Sequence, residues 1–426
     1  MDLNIGTEET ASHKDKMSAI EAKKNNFLFE KIISSVNLDE IPNEKQPPID
    51  DKETIQKSIA LFGRLVANGH VNWPYFPNSY KEKFKKGIIA LYNTPPKTTN
   101  DMLKEMETLL LKSIPDNHTF ILNNQNNRVL NSQTAQTIED AVIDKYPTTN
   151  VGKNACFSLP DDTNAQTLYF EQNAQGHTMG LFAKQVNGKK LGVIALSKCP
   201  QPNDPAFDFK AFLSTLDQHL STFDGVVFDV RGNEGGNSKI IQEISSRLYG
   251  NIPSFLKATH LRTTDEAKII HQHKFSGFEA TLNRMYNSAN EQGYVTNQNP
   301  NQEEKPFNPE KGFNKPVYVL ADRRTSSSGE YVFALQKHPK VKFLGENSCG
   351  CGEYGDTTGI PLPAGGVLVT GVFINEMYPS IPEGIGKEPT HPTQKGMDAL
   401  CHAMAEFKKD LSPYVINPHL NSDGRS

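Results

Sequence analysis

Residues 325–330 read Thr-Ser-Ser-Ser-Gly-Glu, and they follow the apolar run Pro316-Val-Tyr-Val-Leu-Ala321. This order predicts a buried strand, a turn rich in hydroxyl side chains, and a helix from Ser327 to about Lys337. A helix N-terminus offers unpaired backbone N–H groups and the positive end of the helix dipole, which stabilise a developing negative charge. The turn is therefore a candidate position for a serine nucleophile, although Ser and Thr are also common helix N-caps.

The composition is that of a polar globular protein. The chain has 426 residues, enough for two or three domains, with 36% apolar residues, 22% charged residues and a net charge of −4. We expect no nucleic-acid partner, because no basic surface is indicated, and no transmembrane segment, because the apolar runs are far shorter than the roughly 20 residues that span a bilayer. Residues 1–25 lack the apolar region of a signal peptide. We expect a soluble protein, with the compartment open; a periplasmic or secreted chain whose signal has been removed would look the same.

The sequence pattern changes along the chain and suggests a domain organisation. Residues 1–50 are polar and predict a flexible N-terminal arm, whereas residues 51–118 have apolar residues at three- and four-residue steps and predict a helical N-terminal domain of three helices. Residues 119–400 alternate strand-like with helix-like runs, which predicts an α/β core, a sheet covered by helices. Residues 250–312 are predicted to be an insertion in this core, and residues 401–426 a C-terminal tail.

The second informative segment is Phe228-Asp-Val-Arg-Gly-Asn-Glu-Gly-Gly-Asn237, in which a buried strand ends in a glycine-rich turn before a helix. Glycines there allow the backbone to approach a ligand closely with its N–H groups pointing outward. The turn suits either a phosphate loop or an oxyanion hole. It matches neither common nucleotide-binding motif, so the phosphate alternative is the weaker one.

The five cysteines are an odd and sparse set that does not indicate a disulfide framework. Cys349-Gly-Cys351 has no second pair at the spacing of a zinc site, so we interpret it as a tight glycine-rich turn. No metal and no other cofactor is expected.

Five segments, taken together and in this order, resemble peptidase family S41, the family of the C-terminal processing proteases and of the tricorn core. The segments are Asp116-Asn-His-Thr119, Asp229-Val-Arg-Gly-Asn-Glu-Gly-Gly236, Thr325-Ser-Ser-Ser-Gly-Glu330, Gly345-Glu-Asn-Ser-Cys-Gly350 and Glu383-Gly-Ile-Gly-Lys-Glu-Pro389. The resemblance extends over residues 55–395. It implies a crotonase/ClpP-like α/β core with a small helical N-terminal domain.

The resemblance also implies a nucleophile and an oxyanion hole. Ser327 corresponds to the nucleophile, and Ser326 and Ser328 are the neighbours with which it could be confused. The oxyanion hole would comprise the backbone amides of Gly236 and Ser328. Gly235 and Asn117 are the expected substrate-binding residues.

The general base is where the sequence departs from the processing proteases. Those enzymes use a lysine at the position that Cys351 occupies here, so a Ser/Lys dyad is not expected. The tricorn-like branch instead uses a histidine and a glutamate, which correspond to His118 as the general base and Glu383 as the carboxylate that orients it. Glu388 stays open as an alternative carboxylate. A neutral imidazole can remove a serine proton near pH 7 when a carboxylate holds it in place.

The resemblance implies a serine endopeptidase that cleaves polypeptides or oligopeptides through an acyl-enzyme. A PDZ domain, which many relatives carry, is not recognisable in residues 119–190. One alternative is a non-catalytic S41-like protein that binds an apolar ligand or a peptide, and another is an acyl-CoA enzyme with a crotonase-like core. A homo-oligomer stays open.

Overall fold

The computed structural model describes residues 13–114, 116, 118–130, 165–174, 176–253, 255–277, 279–298, 305–352, 354–377, 379–381, 385–394 and 396–411. The described residues divide into two compact units. The first unit is drawn from Met1–Tyr146, His260–Asn297 and Tyr354–Ile374. The second is drawn from Pro147–Thr259, Gln298–Glu353 and Asn375–Ser426.

Helices dominate the first unit. Its α-helices are α1 (His13–Ile33), α2 (Lys52–Arg64), α3 (Asn78–Asn93) and α4 (Thr99–Ser113). Short 3₁₀ turns at Leu38–Glu40 and Trp73–Tyr75, and a π-helical turn at Leu65–Gly69, connect them.

The amphipathic pattern of α2 explains why these helices pack together. Asp51 caps α2 by accepting a hydrogen bond from the Thr54 backbone N–H, and Ile55 and Ile59 are fully buried in the core of the unit. Three helices appear in residues 51–118, as the periodicity predicts. Within the predicted N-terminal arm, α1 is also helical and buries Phe29 against the helical core.

The first sheet has five strands. Its strands are β1 (Phe120–Leu122), β6 (Leu256–Arg262), β7 (Tyr294–Gln298), β10 (Tyr354–Pro361) and β11 (Val367–Met377). Their order is β1-β11-β6-β7, with β10 antiparallel to β11. Two helices, α7 (Asp265–Lys274) and α8 (Glu279–Tyr286), lie between β6 and β7 in the chain.

The second unit is built on a seven-stranded sheet in the order β12-β9-β8-β5-β4-β3-β2. Its strands are β2 (Ala165–Gln172), β3 (Thr178–Val186), β4 (Lys189–Leu196), β5 (Gly225–Asp229), β8 (Val317–Ala321), β9 (Val341–Gly345) and β12 (His391–Pro392). Three α-helices accompany it: α5 (Phe209–His219), α6 (Lys239–Tyr249) and α9 (Ala399–Leu411). A 3₁₀ turn spans Leu220–Thr222, and a longer 3₁₀ helix spans Ser327–Lys337.

Strands β4, β5, β8, β9 and β12 run parallel to one another. All residues of β5 and β8 are buried, which is why these segments are continuously apolar. The carboxyl ends of parallel strands lie at one edge of a sheet, where ligands bind in open α/β folds. The turns after β5, β8 and β9 therefore share this edge.

Two segments of the predicted domain organisation contain regular secondary structure. Residues 250–312, predicted to be an insertion in the core, contain β6, α7, α8 and β7, and residues 260–297 belong to the first unit. The predicted C-terminal tail begins inside α9, which buries Ala403 and Phe407 at a four-residue step. Residues 131–164, on which the expected lack of a PDZ domain partly rests, lie outside the described residues.

Among the described residues, no helix combines the length and the apolar character that crossing a bilayer requires.

Candidate active site

The turn between β8 and the following helix holds Ser327 in an unusual backbone conformation. Asp322 Oδ1 accepts hydrogen bonds from the backbone N–H groups of Arg324 and Thr325, at 3.0 Å each. Thr325 Oγ1 donates to the carbonyl oxygen of Val230 at 2.8 Å, which joins this turn to the end of β5. Ser327 then has φ +52°, a left-handed value that is uncommon outside glycine and frequent at functional sites.

The Ser327–Lys337 helix begins at this residue, as the sequence predicts, and it is a 3₁₀ helix. Ser327 itself is half-buried, whereas Ser328 and Glu330 are buried. The nucleophile candidate is thus the serine at the N-terminal end of a helix whose first turn is packed into the protein.

Gly235 is placed directly against Ser327. It has φ +89°, and a Cβ atom added there would lie 2.7 Å from the Cβ of Ser327 and 3.0 Å from the backbone nitrogen of Ser328. A contact of that length is not tolerated between real side chains, so only glycine lets the two turns approach this closely. The glycine-rich turn after β5 and the serine turn after β8 therefore form one local structure.

Two backbone amides at this contact are available to a ligand. Within the described part of the chain, neither the Gly236 N–H nor the Ser328 N–H donates a hydrogen bond. The Ser328 hydroxyl donates to the carbonyl oxygen of Gly236 at 2.8 Å and fixes the two segments to each other. Unpaired amides next to a serine are the groups that an oxyanion hole requires. That function for Gly236 and Ser328 stays a prediction.

Asn233 holds both turns in place through hydrogen bonds. This role is not apparent from the sequence. It is fully buried. Its Oδ1 accepts a hydrogen bond from Gly235 N–H at 2.9 Å, and its Nδ2 donates to the Leu196 carbonyl oxygen at 2.8 Å. Its own carbonyl oxygen accepts from Ser326 N–H at 2.9 Å. A buried amide with this many partners sets the geometry of the turns around it.

Glu330 anchors the third turn, the one after β9. This fully buried carboxylate accepts hydrogen bonds from the Ser348 hydroxyl at 2.5 Å, from Gly350 N–H at 2.7 Å and from Cys351 N–H at 2.9 Å. Cys349 N–H donates to the Thr325 carbonyl oxygen at 2.8 Å. The turn after β9 is thus bonded to Glu330 and to Thr325, which flank Ser327 in the chain.

Cys349 and Cys351 are joined by a disulfide bond. This pairing was not expected from the sparse cysteine set, because a C-x-C spacing alone does not distinguish a bonded pair from two thiols in a turn. Among the described cysteines, Cys199 is free and buried, and burial raises the pKa of its thiol to about 12. Cys401 is free and exposed.

His118 lies in the first unit, in the turn before β1. Asp116 accepts its backbone N–H at 2.7 Å, and the His118 Nδ1 atom lies 3.7 Å from Asp116 Oδ1. The Nδ1 atom is buried and has no hydrogen-bond partner among the described residues. A second histidine, His70, contacts the other oxygen of the same carboxylate at 2.8 Å. His70 had no signal in the sequence, because it precedes Asp116 by 46 residues and belongs to no motif.

The structure brings together four of the predicted site residues: Ser327, Ser328, Gly235 and Gly236, all in the second unit. His118 belongs to the first unit. Pairing of His118 with Ser327 therefore stays a prediction.

The sequence also predicts Asn117, Glu383 and, as an alternative, Glu388 at the site. Glu383 and Asn117 lie outside the described residues. Glu388, the alternative carboxylate, is exposed.

Comparison with known proteins finds a family match for about half of the chain. Residues 190–390 match the model of Peptidase family S41. The Nisin-resistance protein of Lactococcus lactis subsp. lactis is 26% identical over 204 residues, which are 46% of this chain and 56% of that protein. The chain therefore spans little more than half the length of this curated relative.

Two solved structures share the fold. A candidate peptidase from Parabacteroides merdae has a TM-score of 0.54 at 13% identity and covers 86% of this chain and 98% of its own. Mature CPAF has a TM-score of 0.51 at 11% identity, with 84% of this chain and 96% of that chain covered. At such identities the likeness shows the fold alone.

Residues 190–390 thus match a family of peptidases, and the two solved structures share the fold of the chain. More narrowly, the part of the chain that matches peptidase family S41 is residues 190–390. The resemblance to peptidase family S41 is thereby confirmed over residues 190–390, and so is the expected α/β core with a helical N-terminal region.

Proposed function

We propose that this chain is a serine endopeptidase that cleaves polypeptides or oligopeptides through an acyl-enzyme. The observation that carries the proposal is the environment of Ser327. This serine has a left-handed backbone at a helix N-terminus, and it lies beside the amides of Gly236 and Ser328, which are unpaired within the described part of the chain. Such an arrangement exposes a hydroxyl to a carbonyl carbon and offers donors to the oxygen that becomes negative.

In the proposed acylation step, Ser327 Oγ attacks the scissile carbonyl carbon and His118 receives the serine proton. The carbonyl oxygen becomes an oxyanion that the amides of Gly236 and Ser328 stabilise. When the intermediate collapses, His118 returns the proton to the leaving amine, the C–N bond breaks, and an ester to Ser327 remains.

Deacylation repeats the chemistry with water as the nucleophile. His118 removes a proton from water, the ester carbonyl is attacked, and the serine oxygen leaves with that proton. Glu383 is the carboxylate that the family resemblance assigns to orient the imidazole. No cofactor takes part in these steps.

The decisive variant is Ser327→Ala, with Ser326→Ala as its matched control. Ser326 is the neighbouring hydroxyl. Its backbone is bonded to Asn233 and Gly329, and its side chain does not cap the helix that follows. Hydrolysis of casein, an unstructured protein, should fall at least about 10⁴-fold in Ser327→Ala, because removal of the nucleophile abolishes the acyl-enzyme route. Ser326→Ala should keep activity within about threefold, as is usual for a substitution that removes no essential contact.

A fluorophosphonate probe gives an independent result. Mass spectrometry of the labelled peptide should place the adduct on Ser327, and Ser327→Ala should not be labelled. Full hydrolysis by Ser327→Ala would disprove the assignment. An unlabelled, inactive but folded wild-type protein would instead favour a non-catalytic binding protein.

A further inference from the structure

A buried carboxylate in the first unit connects two histidines. Asp116 is 5% exposed. Its Oδ2 accepts hydrogen bonds from His70 Nε2 at 2.8 Å and from the Thr119 hydroxyl at 2.6 Å. Its Oδ1 accepts the backbone N–H of His118 at 2.7 Å. A carboxylate buried this deeply is stable only when such donors surround it.

The tautomer of His70 follows from its other contact. The Asn72 backbone N–H donates to His70 Nδ1 at 3.1 Å, so in the neutral ring the hydrogen is on Nε2 and points at Asp116. His70 is fully buried. It therefore acts as a fixed donor to this carboxylate.

The backbone around His70 is itself held firmly. Arg262 Nη1 donates to the His70 carbonyl oxygen at 2.8 Å, and the Tyr294 hydroxyl donates to the Val71 carbonyl oxygen at 2.7 Å. Arg262 and Tyr294 are two ionisable groups in contact with this segment. Both belong to the first unit.

The groups around Asp116 favour its ionised form. Burial alone would raise the pKa of its carboxyl, but the contacts with His118 and His70 outweigh burial and hold the pKa well below its usual range. A negative charge thus lies beside the imidazole of His118.

Within the described part of the chain, one ring nitrogen of His118 has no hydrogen-bond partner. This atom, Nδ1, is buried and lies 3.7 Å from Asp116 Oδ1. A histidine that acts as a base through Nε2 needs its Nδ1–H held by an acceptor. Oδ1 accepts the backbone N–H of His118, and a carboxylate oxygen has the capacity for a second donor such as Nδ1–H.

We propose that Asp116 is the positioning carboxylate of the His118 general base, and that His70 is a second positioning residue which acts through Asp116. The proposal rests on the proposed function, because it assigns the residues that orient its base. It places at Asp116 the role that the family resemblance gives to Glu383.

Four variants and one control variant test the proposal. Asp116→Asn keeps the shape but replaces an oxygen by an amide group and removes the charge. His70→Gln keeps a side-chain donor, whereas His70→Phe removes it. Glu383→Gln tests the rival carboxylate, and Asp39→Asn, at an exposed carboxylate of the same unit, is the control.

Steady-state kinetics on a chromogenic peptide should separate orientation from binding. Asp116→Asn should lower kcat by about 10²- to 10⁴-fold with KM within about threefold, because loss of the orienting carboxylate misplaces the base without removing substrate contacts. His70→Phe should lower kcat by about 10- to 100-fold, as for other groups that act through a neighbour, and His70→Gln should recover most of it. Asp39→Asn should behave as wild type.

The ¹⁵N NMR shifts of labelled histidines keep the proposal testable if a variant does not fold. In the wild-type protein the neutral His118 ring should carry its hydrogen on Nδ1, and the neutral His70 ring should carry its hydrogen on Nε2. A His118 hydrogen on Nε2 would overturn the proposal.

One kinetic result would overturn the proposal for Asp116. A folded Asp116→Asn enzyme with kcat within threefold of wild type, together with a Glu383→Gln enzyme that has lost 100-fold or more, would return the orienting role to Glu383 and leave the proposed function intact. Full activity in Ser327→Ala would instead refute the proposed function itself.

Discussion

At the scale of single residues, the contact between Gly235 and Ser327 shows why the site needs glycine. The backbone of Gly235 is left-handed, and a side chain there would meet the Cβ of Ser327 and the backbone nitrogen of Ser328. Ser327 has a left-handed backbone of its own without being glycine. Strain of this kind costs on the order of 1–3 kcal/mol and persists only where the surrounding structure enforces it.

We therefore predict that Gly235→Ala abolishes peptidase activity while the protein stays folded. The added methyl group would displace Ser327 relative to its neighbouring amides, and a shift of about 1 Å costs roughly 100-fold in rate. Hydrolysis of a peptide substrate and thermal unfolding are the two measurements.

Gly232→Ala is the matched control for this prediction. Gly232 lies in the same turn with φ +71°, and a Cβ there would meet nothing within 4 Å. Gly232→Ala should lose about 1 kcal/mol of stability from backbone strain. Gly235→Ala should lose more, because its methyl group also meets Ser327, but only Gly235→Ala should lose activity. Equal activities in the two variants would show that the contact with Ser327 is unimportant.

At the scale of elements, the turn Cys349–Gly352 is fixed mainly through its backbone. Gly350 and Cys351 donate their N–H groups to Glu330, and Cys349 donates its N–H group to Thr325. None of these bonds uses a cysteine side chain. The disulfide therefore adds a covalent link to a turn that hydrogen bonds already hold.

We predict that the double variant Cys349→Ser/Cys351→Ser keeps peptidase activity within about threefold, because its backbone donors are unchanged. Thiol alkylation followed by mass spectrometry should find both sulfur atoms blocked by the disulfide in the untreated wild-type protein and two alkylated cysteines after treatment with a dithiol. Loss of all activity in the folded double variant would mean that this turn, and not His118, supplies the general base.

Strands that are buried on both faces were predictable from the sequence, whereas strands with a mixed burial pattern were not. The apolar runs at β4, β5 and β8 have side chains buried throughout most of each strand, so the composition alone indicates strands. By contrast, β6 has a mixed burial pattern, and β10 has glycine and threonine where apolar alternation would be needed. Such strands are fixed by pairing with β11, a long-range contact that no local pattern encodes.

The same distinction applies to the candidate site. Ser327, Gly235 and Gly236 belong to segments with a recognisable order in the chain. His70 and Asn233 act through buried hydrogen bonds to residues that are distant in sequence or to backbone atoms. Their side chains have no characteristic spacing, so only coordinates reveal them.

At the scale of the whole molecule, a buried histidine makes the stability of the first unit depend on pH. His271 on α7 is 1% exposed, and its Nδ1 lies 2.8 Å from the Tyr286 hydroxyl. Burial lowers its pKa to about 4, and a hydrogen bond with the Val372 backbone opposes this effect only in part. The folded protein therefore keeps this imidazole neutral well below its ordinary pKa of 6.5.

The sign of the effect follows from proton binding. Between pH 6.5 and pH 4 the unfolded chain binds a proton at His271 that the folded chain does not bind, so acid favours unfolding. The stability is complete above pH 6.5 and is lost as the pH falls through 4, by about 3 kcal/mol for this residue. His271→Gln, which has no titrating group, should reduce by that amount the loss of unfolding free energy between pH 7.5 and pH 4, measured by urea denaturation. His391→Gln, at an exposed histidine, should leave the loss unchanged, and equal slopes for wild type and His271→Gln would show that another group controls the acid sensitivity.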